Sequence, residues 1–307
     1  MSPESLVSVV IPTYYRNDTL RTAIESTESQ TYEPIEVIVI DDSGERHAEH
    51  VAGEYDVTYI AHEENQGGNP ARNTGIEAAR GGYVQLLDDD DRLVPTKIEK
   101  QIALFESRPS VGVVYCGLQQ ENGNLVPPVE RNRGDVLEQA LRFDLHPCQT
   151  NTMLFRGDLI RELHPLATRE AGDDLGLKIR AAERTEFDFV DEILVVKGNA
   201  GDHRLDKLEF SDEVFSMIEE FDQLYDRSDD RVRRDALATA YQSRGVRLLN
   251  RNRWSAEAIA CFGKALYHSN AKDSRLVGSF VSSIFGRPGY NLVRRVFHRL
   301  SSGRVSR

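Results

Sequence analysis

Short apolar runs alternate with helical stripes over the first two hundred residues. VSVVIP (7–12) and IEVIVID (35–41) are short β-branched runs, the pattern of strands buried on both faces. Between them, DTLRTAIESTESQ (18–30) puts Leu20, Ala23, Ile24 and Thr27 on one face of a predicted helix, with Asp18 placed to cap it. VTYIAH (57–62) and YVQLL (83–87) predict further strands, and ARNTGIEAAR (71–80) a helix closed by Gly81-Gly82. Later strands are expected at 111–116, 150–155 and 187–196, with a helix over 173–184 that aligns Leu175, Ile179 and Ala182. Strand–helix alternation of this kind predicts an α/β fold with a mostly parallel sheet covered on both sides. From about residue 210 the pattern is helical only, over 212–226, 233–252 and 256–269. The expected division is an α/β domain over 1–208 and a helical extension over 209–307.

Composition narrows the function classes. Asp and Glu number 50 against 38 Lys and Arg, a net charge of −12, which argues against general nucleic-acid binding. Lysine is scarce beside arginine, and a carboxylate-rich, lysine-poor surface suggests a chain adapted to high salt. Cys116, Cys148 and Cys261 are far apart and make no metal or redox pair, so buried thiols in a reducing, cytoplasmic setting are expected. The N-terminal MSPESLVSVVIP lacks the features of a signal peptide, and no apolar run has membrane-spanning length.

Candidate chemistry gathers where predicted strands end. Asp88, Asp89, Asp90 and Asp91 follow YVQLL directly, and hard oxygen ligands of this type suit Mg²⁺ or Mn²⁺ together with substrate phosphates. An acidic turn on an acidic protein is the competing reading. Asp41 and Asp42 close the second strand, where a carboxylate can accept from a base or ribose, although DDSG is also good turn chemistry. Pro12-Thr13 after the first strand poses the same choice. The loop Asn65-Gln66-Gly67-Gly68 leads to Arg72, suited to phosphate or simply to starting a helix. Asp173 and Asp174 open a helix, either as caps favoured by its dipole or as a general base. His203 lies in a polar loop, as a metal or phosphate ligand or as an exposed side chain.

Taken in order, VSVVIPTYYRND…IEVIVIDDSG, ENQGGNPARNTGIEAARGGYVQLLDDDDRLVP and AGDDLGLKIRAAER resemble the family 2 glycosyltransferases of the GT-A fold. That resemblance implies a Rossmann-like mixed sheet, a nucleoside-diphosphate sugar donor, a divalent Mg²⁺ or Mn²⁺ at a D-x-D motif, and inversion at the anomeric carbon. Asp88-Asp89-Asp90 matches the D-x-D, with Asp90 the metal ligand alongside Asp88, and Asp88 or Asp89 facing the ribose. Asp41 matches the aspartate that contacts the base, and Pro12, Thr13 and Tyr15 match the donor loop. Asp173-Asp174 matches the base motif, with Asp173 where the family usually has Glu, so that Asp174 is the candidate base. Asp91 is expected to hold Arg72 or to cap the following turn.

In GYNLVRRVFHRL (289–300), Leu292, Val293, Val296, Phe297 and Leu300 fall at helical spacing beside Arg294, Arg295 and Arg299. This fits an amphipathic helix on an anionic membrane surface, or equally a terminal helix packed on the acidic body. With relatives that build glycans on polyprenyl phosphates, the expected acceptor is a lipid-linked or other glycan. The alternative is a non-catalytic nucleotide-sugar or protein-binding module on the same fold, which would have no need of a base at Asp174.

Overall fold

The computed structural model describes residues 5–169, 172–198, 208–269 and 274–302. These form two compact units. The first takes the described residues up to 198, apart from 141–144 and 172; the second takes those segments and everything described from 208 onward.

The first unit is built on β1 (Val7–Thr13), α1 (Asn17–Glu28), β2 (Ile35–Asp41), α2 (Glu49–Ala52), β3 (Thr58–Ala61), α3 (Gly68–Ala78), β4 (Tyr83–Leu86) and β5 (Arg92–Leu93). It continues through α4 (Lys97–Ser107), β6 (Val111–Gln119), β7 (Leu125–Val126), α5 (Leu137–Leu141, whose last residue belongs to the second unit), β8 (Leu154–Arg156), α6 (Gly157–Leu163), α7 (Asp173–Ala182) and β9 (Glu186–Val196). The strands make one sheet in the order β3-β2-β1-β4-β8-β6-β9-β5, with β7 beside β6. Neighbours β3, β2, β1 and β4 run parallel, as do β6 and β9, while β8, β5 and β7 are antiparallel to their partners. The mostly parallel sheet expected from the alternation is present, mixed as the resemblance to the GT-A fold implies.

β1 is the centre of the first half. Val7, Val9, Val10 and Ile11 have no exposed surface, and Leu20, Ala23 and Ile24 of α1 are equally buried in the core. A Cβ on Gly75 of α3 would collide with the Val10 side chain, so a glycine lets that helix lie directly on the strand. α3 begins three residues before the expected start, with Pro70 in its first turn where a missing N–H is harmless.

Three expectations are revised. The strand expected over 150–155 begins only at Leu154, because Thr152 and Met153 donate their N–H groups back to the Gln149 carbonyl in a turn. The helix expected over 212–226 divides at Phe221 into two, Leu208–Glu220 and Asp222–Asp226. α4 had no expected counterpart, because its buried face carries Lys97 and Gln101 among Ile98, Ile102 and Phe105. Lys97 has no exposed surface; its ammonium donates to the side chains of Gln85 and Gln101, and burial lowers it to about 8.

The second unit is helical: α8 (Leu208–Glu220), α9 (Asp222–Asp226), α10 (Asp230–Arg251), α11 (Ala256–His268), α12 (Ser274–Ser283) and α13 (Gly286–Ser302). Asp229 and Ser255 cap α10 and α11 through their side chains. Leu248, Leu249, Ala258, Cys261, Phe262 and Tyr290 form its core.

Candidate active site

Because β1, β2, β3 and β4 run parallel, the loops that leave them emerge at one edge of the sheet. Thr13 lies opposite Asp41, and Asp41 opposite Ala61, while the Leu87 N–H reaches the Val10 carbonyl at 2.9 Å. The chain crosses from β2 on one side of β1 to β4 on the other, and such a reversal opens a crevice at the carboxyl ends of the strands.

The four consecutive carboxylates bind different partners. Asp88 Oδ1 accepts from Arg72 Nη2 at 2.6 Å. Asp89 is buried; its Oδ2 accepts from Thr13 Oγ1 at 2.8 Å and its Oδ1 from Arg16 Nη1 at 3.1 Å. Asp91, also buried, accepts from Asn151 Nδ2 and, at 3.0 Å, from the Gly198 N–H. A Cβ on Gly198 would collide with the Asp90 carbonyl, so only glycine lets the end of β9 approach the run this closely. Among the described residues, the Asp90 carboxylate accepts no hydrogen bond from another residue. The expectation that Asp91 holds Arg72 is corrected. Asp88 does so, and Asp91 instead faces inward onto Asn151 and Gly198.

The electrostatics follow from crowding and burial. Burial raises Asp89 to about 6, against the pull of Thr13 and Arg16. Burial, then the charges of Asp88 and Asp90, raise Asp91 to about 7. Asp90 is raised by burial and by Asp88. Burial works against the Arg72 cation, but Asp88, Asp173 and Asp174 more than offset it and hold Arg72 above its ordinary value.

Arg72 connects the acidic run to α7. Its Nη1 donates to Asn69 Oδ1 at 2.8 Å and lies 3.6 Å from Asp173 Oδ2, while its buried Nε has no hydrogen-bond partner. Asn69 and Asn73 reach the carbonyls of Ala167 and Leu166, which ties α3 to the segment before α7. Asp174 Oδ2 accepts from Lys178 Nζ at 2.9 Å, one turn along the same helix, and Lys178 also donates to the Cys148 carbonyl. Asp88 and Asp173 are thus brought to one guanidinium.

Asp41 and Asp42 are placed differently from that expectation. Asp41 has no exposed surface; it accepts from the N–H groups of Ser43 (3.0 Å) and Ala48 (2.7 Å) and from Tyr59 Oη (2.8 Å). Burial alone would raise it, but these donors outweigh burial and hold it below the usual carboxylate range. Asp42 accepts from His62 and from the N–H groups of Gln66 and Gly67. Both carboxylates therefore fix the loops around the crevice. Pro12 is half-buried, and Thr13 is spent on Asp89, whereas Tyr14 and Tyr15 are exposed. Tyr15 has a φ of +53° and sets its ring against His47 at 4.8 Å. His203 lies outside the described residues. Arg16, Asn151 and Gly198 had no sequence signal, while Lys178 could have been found from its spacing of four from Asp174.

The family model described as "Glycosyl transferase family 2" matches residues 8–163, half of the chain. An uncharacterised glycosyltransferase of Methanocaldococcus jannaschii is 28% identical over 201 residues, 62% of this chain and 69% of that protein. Uncharacterised glycosyltransferases of Haemophilus influenzae and Rickettsia prowazekii are 35% and 36% identical, over 36% and 46% of this chain. This chain spans only 38% and 46% of the length of those two. The high-salt reading of the composition is not borne out. Among solved structures, Staphylococcus aureus TarS residues 1–349 with UDP-GlcNAc align with a TM-score of 0.58 at 15% identity, over 95% of this chain and 91% of that one. The mannosyltransferase PcManGT of Pyrobaculum calidifontis, in complex with GDP-Man and Mn²⁺, aligns with a TM-score of 0.59 at 15% identity, over 94% and 83%. The sheet order, the loops at its carboxyl edge and the family match converge on one assignment: this chain belongs to the family 2 glycosyltransferases.

Proposed function

We propose that the chain transfers a sugar, with inversion, from a nucleoside-diphosphate sugar to an acceptor hydroxyl. The observation that carries this reading is the division of labour among the four aspartates. Asp88, Asp89 and Asp91 accept hydrogen bonds from other residues, whereas among the described residues none donates to the Asp90 carboxylate except its own backbone. A half-buried carboxylate raised by its surroundings and short of donors is matched by an incoming cation.

The donor set fits Mg²⁺ or Mn²⁺. Among the described residues no three His, Cys, Asp or Glu side chains stand together as a metal-holding group. The protein's share is then one or two carboxylates, Asp90 with Asp88, as suits ions that keep waters and take phosphate oxygens. When bound, such an ion offsets charge on the departing diphosphate. Arg72, with its unmatched Nε, adds positive potential beside the same carboxylates. Tyr15 offers an exposed face to the nucleotide, and Asp41 and Asp42 hold the β2 and β3 loops that frame it. Asp174 takes the proton of the acceptor hydroxyl. Lys178 fixes its Oδ2, so that the other oxygen is the one to do so. The acceptor class is a lipid-linked or other glycan, and the α/β domain over 1–208 carries the reaction.

The bound ligands of the two neighbours differ in nucleotide, so the donor is identified by thermal shift. UDP-, GDP- and dTDP-sugars are each added with Mn²⁺ or Mg²⁺, and one is expected to stabilise the protein by mass action. Asp90→Asn should abolish the metal-dependent part of that shift and of donor turnover. Asp174→Asn should keep donor binding and lose transfer to a hydroxyl. Retention of metal-dependent turnover by Asp90→Asn would refute the metal assignment.

A further inference from the structure

α12 is apolar on both sides. Leu276, Phe280 and Ser283 face the interior of the helical unit, where Phe280 packs on the core of Leu248, Phe262 and Tyr290. One position along, Val277, Val281 and Ile284 recur at helical spacing and are exposed, and Phe285 follows with 72% of its surface in solvent. A helix that packs by one face ordinarily turns polar residues to solvent, and here Ser274 is followed on the exposed face by Val277 and Val281.

The turn between α10 and α11 extends this stripe. Trp254 Nε1 donates to the Ile284 carbonyl at 3.1 Å, and the Arg287 N–H donates to the Arg253 carbonyl at 2.8 Å. These two bonds set Trp254, itself 58% exposed, beside Ile284 and Phe285, although thirty residues separate them. Leu292 on α13 is exposed as well.

The charge around the stripe is cationic. Arg251, Arg253, Arg287 and Arg295 are exposed, and Arg287 turns its guanidinium to the Asn250 carbonyl. Residues 274–307 hold seven arginines and no Asp or Glu, in a chain whose net charge is −12. The nearest acid in sequence to Trp254, Glu257, is paired with Arg244. An acidic protein is repelled by an anionic surface everywhere except at such a patch, which fixes the orientation of approach.

We infer that Trp254, Val277 and Val281 on the outward face of α12, and Ile284 and Phe285 in the turn that follows it form a docking surface for an anionic lipid bilayer. The apolar side chains enter the interface, the indole sits at headgroup level, and the flanking arginines meet lipid phosphates. This surface lies on α12, the turn that follows it and the turn before α11, not on the terminal helix for which membrane contact was expected. This inference does not depend on the reaction.

Trp254 is the only tryptophan, so its fluorescence reports this surface without a label. The full chain is titrated with vesicles of phosphatidylcholine alone or mixed with phosphatidylglycerol. The expected result is a blue shift, and quenching by bromine-labelled acyl chains, with the anionic vesicles only, weakened by high salt. Val281→Ser with Phe285→Ser should reduce partitioning about tenfold or more with an unchanged melting temperature, as exposed positions allow. Sedimentation with vesicles and no change at Trp254 would place the contact elsewhere and overturn the inference. So would a dimer, seen by light scattering, in which Trp254 is shielded and indifferent to lipid.

Discussion

Asp89→Asn in metal-free protein tests how burial shapes the acidic run. The native carboxyl ionises at about 6 against 3.8 for the free group. From about pH 4 to pH 6 the native state keeps a proton that the unfolded chain has released, so stability falls as pH rises and levels off above the native value. At 1.36 kcal/mol per unit, the 2.2-unit difference costs the wild type about 3 kcal/mol at pH 8, of which about 1.4 kcal/mol is lost between pH 5 and pH 8. The amide has no such titration. It can still accept from Arg16 through Oδ1 and donate to a reoriented Thr13 hydroxyl. Urea unfolding of both proteins in EDTA, at pH 5 and pH 8, cancels the groups they share. The variant should gain about 1.4 kcal/mol on the wild type across that interval, roughly 4 °C in melting temperature. A difference that does not change with pH would mean that Asp89 ionises normally, and the account of a carboxylate set raised by burial would be wrong.

Other substitutions probe the connections of the site. Arg72→Leu leaves Asp88 and Asp173 without their shared guanidinium and should lower stability by about 3–5 kcal/mol, with loss of turnover even at saturating donor; calorimetry and initial rates check both. Gly198→Ala should push the end of β9 away from the Asp90 carbonyl, weakening Mn²⁺ binding by calorimetric titration while circular dichroism stays native. Asn151→Ala removes a donor from buried Asp91, so carbon-detected NMR should show this carboxyl titrating above its native value of about 7.

Much of the first unit was legible because its strands are uniformly buried. VSVVIP and IEVIVID are short and rich in β-branched residues, and their parallel pairing brings PTYYR, DDSG and DDDD to one edge. α4 was illegible because it buries a lysine and a glutamine, whose partners, the Gln85 side chain and the Val114 and Thr152 carbonyls, come from other elements. At the site, the motifs located the acidic run but not the direction of each carboxylate. Adjacent residues in a turn point to different neighbours, and whether Asp88 or Asp91 meets Arg72 depends on where α3 lies. The inward-facing Asp41 is a similar case. DDSG carries no sign that Tyr59 on the adjacent strand occupies its oxygen. Arg16 and Asn151 are ordinary loop residues until the fold brings them to the run.

Residues 88–91 are neighbours in the chain, yet what holds them is not. Thr13 lies 76 residues before Asp89, Asn151 lies 60 after Asp91, and Gly198 lies 107 after it. Contacts of such long range form only after large loops have closed. The run therefore gains its final shape late in folding, once β9 has joined the far side of the sheet. A nascent chain that ends before Gly198 can form β1 through β4 and still lack an ordered crevice, so the site becomes competent only when nearly the whole first unit has been synthesised.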